Sequence, residues 1–275
     1  MSVKAKKGGN FGVLGPEGSY SHEASIQYDK NIRPIFFDTI GGIIDAIANG
    51  KLSQAILPLE NSIHGTVLET LDGIFHNKLK IIEESIVDIR HALAGVERIV
   101  SPKNIDFIYS HSQALAQSAR YLKKHYPKAK LVLTESTSAS FKKIKDEQLK
   151  NALAIGPKLG AKIYNLNILA EDIQDEKNNQ TRFAIVSKVS KTKKILPYIL
   201  LVIAPTKDRP GLLYDILAVF KDNNVNLAKL ESRPTRNKLG SYIFYIKAEI
   251  SGKDKKAKGI LKKLNKFGKV TVMTN

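Results

Sequence analysis

With 275 residues, 43% of them hydrophobic and 25% charged, the chain has the length for two domains and the composition of a soluble globular protein. The absence of cysteine excludes disulfides and thiolate metal sites and fits a reducing cytoplasm. The net charge of +18 comes from 36 lysines and only 8 arginines, a lysine habit that argues against arginine-fork recognition of nucleic acid while still attracting small dianions.

Residues 1–9 are polar and basic with no apolar stretch behind them, so no secretory signal is expected. No apolar run approaches the ~20 residues of a membrane helix. Phe11-Gly12-Val13-Leu14 reads as a strand that enters Gly15-Pro16-Glu17-Gly18-Ser19-Tyr20-Ser21, with a helix from His22. Such a turn offers backbone N–H groups to an anion, and Ser19 adds a hydroxyl that alternatively serves as an N-cap. Residues 34–37 form the next strand and residues 39–48 a helix with Ile40, Ile43, Ile44 and Ile47 on one face. The apolar run 54–59 reads as a buried strand ending in Glu60-Asn61-Ser62-Ile63-His64-Gly65, ahead of a helix over 66–76. Asn61 or Ser62 suffices to cap that helix; capping leaves Glu60 unexplained. Residues 80–93 read as one or two long strands, and His91 within them is expected to be a satisfied structural histidine. The six histidines are scattered singly, with no metal-ligand spacing.

A second α/β set starts near Ile105. Its strands lie at 106–109, 130–133 and 152–155, with a helix over 114–125 and another opening at Glu135-Ser136-Thr137-Ser138. Each strand ends in a polar, small-residue turn, which predicts an α/β architecture with a cleft lined by strand-end loops. Lys191-Thr192-Lys193-Lys194 is a charged linker. Beyond it come a strand at 198–203, a helix at 211–221, strands at 225–230 and 242–250, a helix at 255–267 and a strand at 270–272. The order is βαββαβ, the ferredoxin-like pattern. This tail carries 16 basic and 6 acidic residues, with eight lysines between Lys253 and Lys269, read as a solvated helix face.

The stretch Asn178-Asn179-Gln180-Thr181-Arg182-Phe183 joins a polar turn to the apolar strand 183–186. It places a hydroxyl and a carboxylate-binding guanidinium at a strand mouth, where α/β ligand sites gather. Jointly the loops resemble the prephenate dehydratase family with its C-terminal ACT domain. Gly15 to Ser21 is similar to the family's first loop, with serine for threonine at 19. Pro58-Leu59-Glu60-Asn61-Ser62 matches its Pro-x-Glu-Asn-Ser loop. Ser110-His111-Ser112-Gln113-Ala114-Leu115 resembles Ser-His-Pro-Gln-Ala-Leu, and Ser136-Thr137-Ser138 resembles Ser-Thr-Ala. Thr181-Arg182-Phe183 fits the family signature. Glu231-Ser232-Arg233-Pro234 and Pro210-Gly211-Leu212-Leu213 resemble the two phenylalanine-sensing motifs.

The resemblance implies a two-lobed catalytic region of type 2 periplasmic-binding-protein fold over residues 10–190 and an ACT domain over 196–275. It implies decarboxylating dehydration of prephenate to phenylpyruvate, inhibited by L-phenylalanine bound near Gly211, Leu212, Leu213, Glu231, Ser232, Arg233 and Pro234. Thr181 would act on the departing hydroxyl and Arg182 on a carboxylate, with Glu60, Asn61, Ser62 and Gln113 completing the network. Ser19, Ser136, Thr137 and Phe183 would line the substrate. Aromatisation drives the reaction, so no cofactor or metal is expected. ACT pairing implies a homodimer or homotetramer, and the short stretch before Gly12 a monofunctional enzyme in the cytoplasm. Arogenate as substrate, a non-catalytic amino-acid or solute-sensing module, and a nucleic-acid-binding protein motivated by the charge are the alternatives. No nucleic-acid or membrane partner is expected.

Overall fold

The computed structural model describes residues 10–98, 101–189, 194–235 and 241–274. The linker residues Lys191, Thr192 and Lys193 and the basic residues 1–9 lie outside them. The chain packs as two units, Met1–Thr70 with Ser85–Ala184, and Leu71–Glu84 with Ile185–Asn275. Residues 71–84, read in the sequence as part of the first domain, thus pack within the second unit.

The first half of the chain runs β1 (Phe11–Leu14), α1 (Tyr20–Tyr28), β2 (Pro34–Phe37), α2 (Ile40–Ala48), β3 (Gln54–Asn61), β4 (Gly65–Thr66), α3 (Leu68–His76) and β5 (Lys80–Asp88). A second group follows: β6 (Ala92–Gly95), β7 (Phe107–Ser110), α4 (Ser112–Gln117), α5 (Ala119–His125), β8 (Lys130–Leu133), α6 (Thr137–Asp146), β9 (Ala152–Gly156), α7 (Lys158–Ile163) and β10 (Asn167–Ala170). Strand β11 (Gln180–Ser187) then returns to the first sheet, whose order is β2-β1-β3-β11-β5 with β4 paired to β3. The second sheet has the order β10-β6-β9-β7-β8. In the first sheet β1 is parallel to both β2 and β3, the crossover geometry expected where helices alternate with strands. Segment 89–91 leads from the first sheet to the second, and segment 171–179 leads back.

Isoleucine spacing explains α2: Ile43 and Ile47 are fully buried beside Val13, Ala55, Ile56 and Leu57. Each such side chain contributes roughly 1.5–3 kcal/mol by leaving water. The second lobe packs Ile108, Leu115, Leu122, Leu153 and Ile155 on one side of its sheet and Phe141 and Ile144 on the other. Between the lobes, a Cβ on Gly18 (φ +80°) would stand 2.7 Å from the Cα of Gly160. Only glycine at both positions lets the first loop and α7 approach this closely.

Among the boundaries that differ from the sequence reading, three are instructive. The expected single helix over 114–125 breaks at Ser118, whose buried N–H caps α4 by bonding back to Leu115 and Ala116. Strand β3 continues two residues beyond Leu59, because Glu60 and Asn61 pair with Thr66 and Gly65 of β4. Strand β13 reaches Pro234 instead of stopping at Leu230.

The second unit contains β12 (Ile199–Pro205), α8 (Leu212–Lys221), β13 (Leu227–Pro234), β14 (Tyr242–Ala248), α9 (Lys255–Leu264) and β15 (Gly268–Val272). Its antiparallel sheet has the order β13-β14-β12-β15, and the βαββαβ arrangement is as read from the sequence. Ile199, Leu201, Ile203, Ile216, Phe220, Ile246, Ile260 and Leu264 form its core. The segment 71–84 adds Leu71, Ile74, Leu79 and Ile81 to its buried residues, and the Ile81 N–H donates to the Met273 carbonyl at 2.8 Å. None of the helices among the described residues is long and apolar enough to cross a membrane.

Candidate active site

The return of β11 to a place beside β3 brings residues 60–62 to residues 178–182 across more than a hundred positions of sequence. Asn61 is the centre of the join. Its Oδ1 accepts the backbone N–H groups of Ile63 and His64, each at 3.0 Å. The two hydrogens on its Nδ2 serve three acceptors, one of them shared: Asn179 Oδ1 at 2.8 Å, Thr181 Oγ1 at 3.0 Å and the Gln180 carbonyl at 3.1 Å. Ser62 ties the same strands: its N–H donates to the Gln180 carbonyl at 2.8 Å, its hydroxyl to the Asn178 carbonyl at 3.1 Å, and it accepts the Gln180 N–H at 2.9 Å. Thr181 and Asn179 are both buried, so these bonds form largely out of water.

Arg182 points elsewhere. Successive side chains on a strand face opposite sides of the sheet, and burial follows that alternation, with Thr181 and Phe183 buried and Arg182 half-buried. Its Nε lies 3.7 Å from Glu60 Oε2. Two cross-strand pairs result, Asn61 with Thr181 and Glu60 with Arg182. The sequence placed the hydroxyl and guanidinium together at one strand mouth; strand alternation separates them. The Glu60–Arg182 pair is about one-third exposed at each end, so its own stabilisation is about 0–1 kcal/mol. Phe183 is 2% exposed and belongs to the core.

From Asn179 the network continues through residues that the sequence reading did not place in the site. Asn179 Nδ2 donates to Gln117 Oε1 at 3.1 Å, and His91 Nε2 lies 2.8 Å from the same oxygen. Gln117 Nε2 donates to His64 Nε2 at 3.0 Å. Tyr20 Oη is 2.7 Å from His91 Nδ1 and 2.9 Å from the Arg90 carbonyl. The His91 N–H donates to Gln174 Oε1 at 2.8 Å. His91 is therefore the satisfied, buried histidine expected, and burial pushes its imidazole below the ordinary value while the Gln117 bond works against that. Burial also raises the Tyr20 phenol well above its usual range.

Gln113, the glutamine named from the sequence, lies exposed in the first turn of α4, with its N–H directed to His111 Nδ1 at 3.4 Å. Gln117 is one helical turn further on, and it is the one that reaches Asn179. Spacing of four residues is the signal that linked them. Ser19 caps α1, accepting the His22 N–H at 3.2 Å and donating to the Leu14 carbonyl at 3.1 Å. Ser136 caps α6 by accepting the Ala139 N–H at 3.0 Å, and Thr137 opens that helix. Both serines therefore act as N-caps, a role that the sequence left open for Ser19 beside substrate binding.

In the second unit Gly211 sits at the N-terminus of α8 with φ +80°, ahead of buried Leu212 and core-packed Leu213. Glu231, Ser232, Arg233 and Pro234 lie on β13, opposite Tyr245, Phe244, Ile243 and Tyr242 of β14. Arg233 Nη2 pairs with Asp72 Oδ2 at 2.8 Å, and the Tyr245 hydroxyl donates to Asp72 Oδ1 at 3.0 Å. Burial and the Asp72 carboxylate together raise the Tyr245 phenol strongly.

Two α/β lobes joined by two crossing segments, a buried polar cluster at that junction and a separate βαββαβ unit define a class. It is a small-molecule enzyme of periplasmic-binding-protein-like architecture with an ACT regulatory fold. The sequence pattern of prephenate dehydratase matches residues 11–191 and that of the ACT domain matches residues 198–266. A prephenate dehydratase of Methanocaldococcus jannaschii is 37% identical over 91% of both chains, and one of Bacillus subtilis 35% identical over 94% of both. The solved prephenate dehydratase of Arthrobacter aurescens aligns with a TM-score of 0.87 at 31% identity, covering 96% of this chain and 88% of that one. The chain belongs to the prephenate dehydratase family.

Proposed function

We propose that this chain converts prephenate into phenylpyruvate, carbon dioxide and water, with Thr181 as the group that acts on the leaving hydroxyl. The observation that carries this reading is the Asn61–Thr181 hydrogen bond. Asn61 Nδ2 donates to the Thr181 oxygen at 3.0 Å, so the single Thr181 proton is free to point toward a ligand. In the reaction, the bond from the ring to its carboxylate breaks and its electron pair enters the ring. The ring hydroxyl leaves from the opposite carbon, takes a proton from Thr181 and departs as water; solvent then restores the threonine proton. A hydroxyl is a weak acid, so the polarised amides behind it and exact placement of the ring supply most of the effect. The net charge of +18 draws in a dianion. Arg182 and Glu60 face each other on the other side of β11 and β3, away from the Thr181 hydroxyl.

L-Phenylalanine, which the Arthrobacter aurescens relative was solved with, is the inhibitor in this reading. It binds the motifs at Gly211–Leu213 and Glu231–Pro234 and acts by unequal affinity for two states of the enzyme. Pairing of ACT domains gives a homodimer or homotetramer, and the enzyme works in the cytoplasm. The test is phenylpyruvate formation by the purified protein from prephenate, with and without phenylalanine, and from arogenate in parallel. Turnover of prephenate that phenylalanine suppresses supports the whole reading. Turnover of arogenate alone, or of neither substrate by folded protein, overturns it.

A further inference from the structure

Two backbone N–H groups hold the buried network at one end and give it a direction there. Ile63 and His64 both donate to one atom of the Asn61 side chain, so that atom is the oxygen and the other is the nitrogen. Asn61 Nδ2 then donates to Asn179, which must present its oxygen there and its nitrogen to Gln117. Gln117 in turn presents its oxygen to both Asn179 and His91, and its nitrogen to His64. An oxygen at 2.8 Å requires a hydrogen on His91 Nε2. The opposite neutral tautomer would set two lone pairs against each other at that distance. A flip of Gln117 to relieve this would turn two amide nitrogens toward each other at Asn179. At the other ring nitrogen the single Tyr20 proton has two acceptors, the Arg90 carbonyl at 2.9 Å and Nδ1 at 2.7 Å, and a bare Nδ1 is accommodated by sharing it.

We propose that His91 is a positioning residue for the dehydration: held by Tyr20, it presents Nε2–H to Gln117 and so fixes, through Gln117, Asn179 and Asn61, the outward direction of the Thr181 hydroxyl. This rests on Thr181 being the group that meets the leaving hydroxyl. His91 sits on segment 89–91 and its own N–H is fixed by Gln174, so the ring has little freedom to serve any other partner. Asn61, Asn179 and Gln117 are all amides able to swap donor and acceptor ends by a half-turn. A chain of such groups keeps one polarity only if both ends are fixed. The backbone at Ile63 and His64 is one end, and His91 is the other.

The experiment pairs substitution with a spectroscopic readout on the full-length protein. Glutamine at 91 places a donor where Nε2–H stands, whereas asparagine reaches only the Tyr20 end. His91→Gln is expected to keep kcat within a few-fold of wild type, and His91→Asn to lower it by about 10- to 100-fold with KM little changed, the range of an unsatisfied buried polar group. Nitrogen-15 NMR of the labelled histidine is expected to show a protonated Nε2 and a bare Nδ1. Tyr20→Phe is expected to shift the Nδ1 resonance while Nε2 keeps its proton. A bare Nε2, or equal kcat for the Gln and Asn variants, overturns the proposal even if Thr181→Ala is inactive. Near-wild-type turnover by Thr181→Ala overturns the parent reading and this inference with it, whatever the spectrum.

Discussion

Replacing Asn61 by aspartate changes one group, NH2 to oxygen, and tests the direction argument at its origin. The two bonds from the Ile63 and His64 N–H groups survive, because a carboxylate oxygen accepts them equally well. The three bonds made by Nδ2, at 2.8, 3.0 and 3.1 Å, become oxygen–oxygen contacts. The buried Asn179 oxygen and the Gln180 carbonyl have no hydrogen with which to answer. Thr181 does: rotation of its hydroxyl gives a charge-assisted bond to the new carboxylate. That turns its proton away from the substrate. The expected loss is the contribution of a positioned proton donor, about 10²- to 10⁴-fold in kcat. The fold should survive, with a stability loss of about 1–3 kcal/mol from the unsatisfied Asn179 oxygen. Asn61→Ala removes the same donor without attracting the Thr181 proton, so its kcat should lie between the aspartate variant and wild type. The assay is phenylpyruvate formation at saturating prephenate, read as kcat because a new negative charge also weakens binding of a dianion. Urea unfolding of each variant runs alongside. An aspartate variant as active as the alanine one, both folded, would refute the reasoning.

Three other expectations concern regulation, packing and pH. Arg233→Ala should raise the phenylalanine concentration needed for half-inhibition while leaving uninhibited turnover near wild type. Loss of both together would instead indicate that the pairing of Asp72 with Arg233 and Tyr245 supports the fold. Gly268→Ala would set a Cβ 2.1 Å from the Ala204 carbonyl oxygen, a backbone atom held by the β12–β15 pairing, and should lower stability by about 1–3 kcal/mol or more in urea unfolding. His22 and His91 are both pushed below the ordinary histidine value by burial, and the Gly18 N–H donates to His22 Nδ1 at 3.1 Å, which needs that nitrogen bare. Below about pH 6.5 the unfolded chain binds more protons than the folded one, so stability should fall as pH drops from 7 toward 5. The drop should be smaller in His22→Gln, and an identical pH slope in that variant would remove His22 from the effect.

Much of the fold was readable because apolar periodicity and turn chemistry agreed along the chain. The run 54–59, the isoleucines of α2 and the βαββαβ order of the tail are examples. The grouping of Asn61 and Ser62 with the Thr181 stretch was legible in part, since both sit at strand ends, but Glu60, read into the same network, lies beside Arg182 on the other face. What escaped depended on direction and on long-range contact. Thr181 and Arg182 look like a unit in one dimension, and only the pleat of β11 sends them to opposite faces. Gln113 belongs to a motif, whereas Gln117 stands in a run of small residues and gains its role from Asn179, 62 positions away. The packing of residues 71–84 within the second unit was illegible for a similar reason. Leu71, Ile74, Leu79 and Ile81 announce burial, and nothing local says against what.

The chemistry of the network also bears on why it is made of amides. Among Asn61, Asn179, Gln117 and Thr181 there is no carboxylate, although a carboxylic acid would be the stronger proton donor. A carboxylate beside the leaving group would repel a substrate that carries two negative charges, and its desolvation would hold it protonated only over part of the pH range. Amides are neutral at every pH, and a fixed amide dipole polarises a hydroxyl without repelling an anion. Glu60, the nearby acid, lies on the other face of the sheet with Arg182 3.7 Å away. Strand alternation therefore does two things at once. It keeps the negative side chain away from Thr181, and it sets that charge beside the Arg182 guanidinium on the same face.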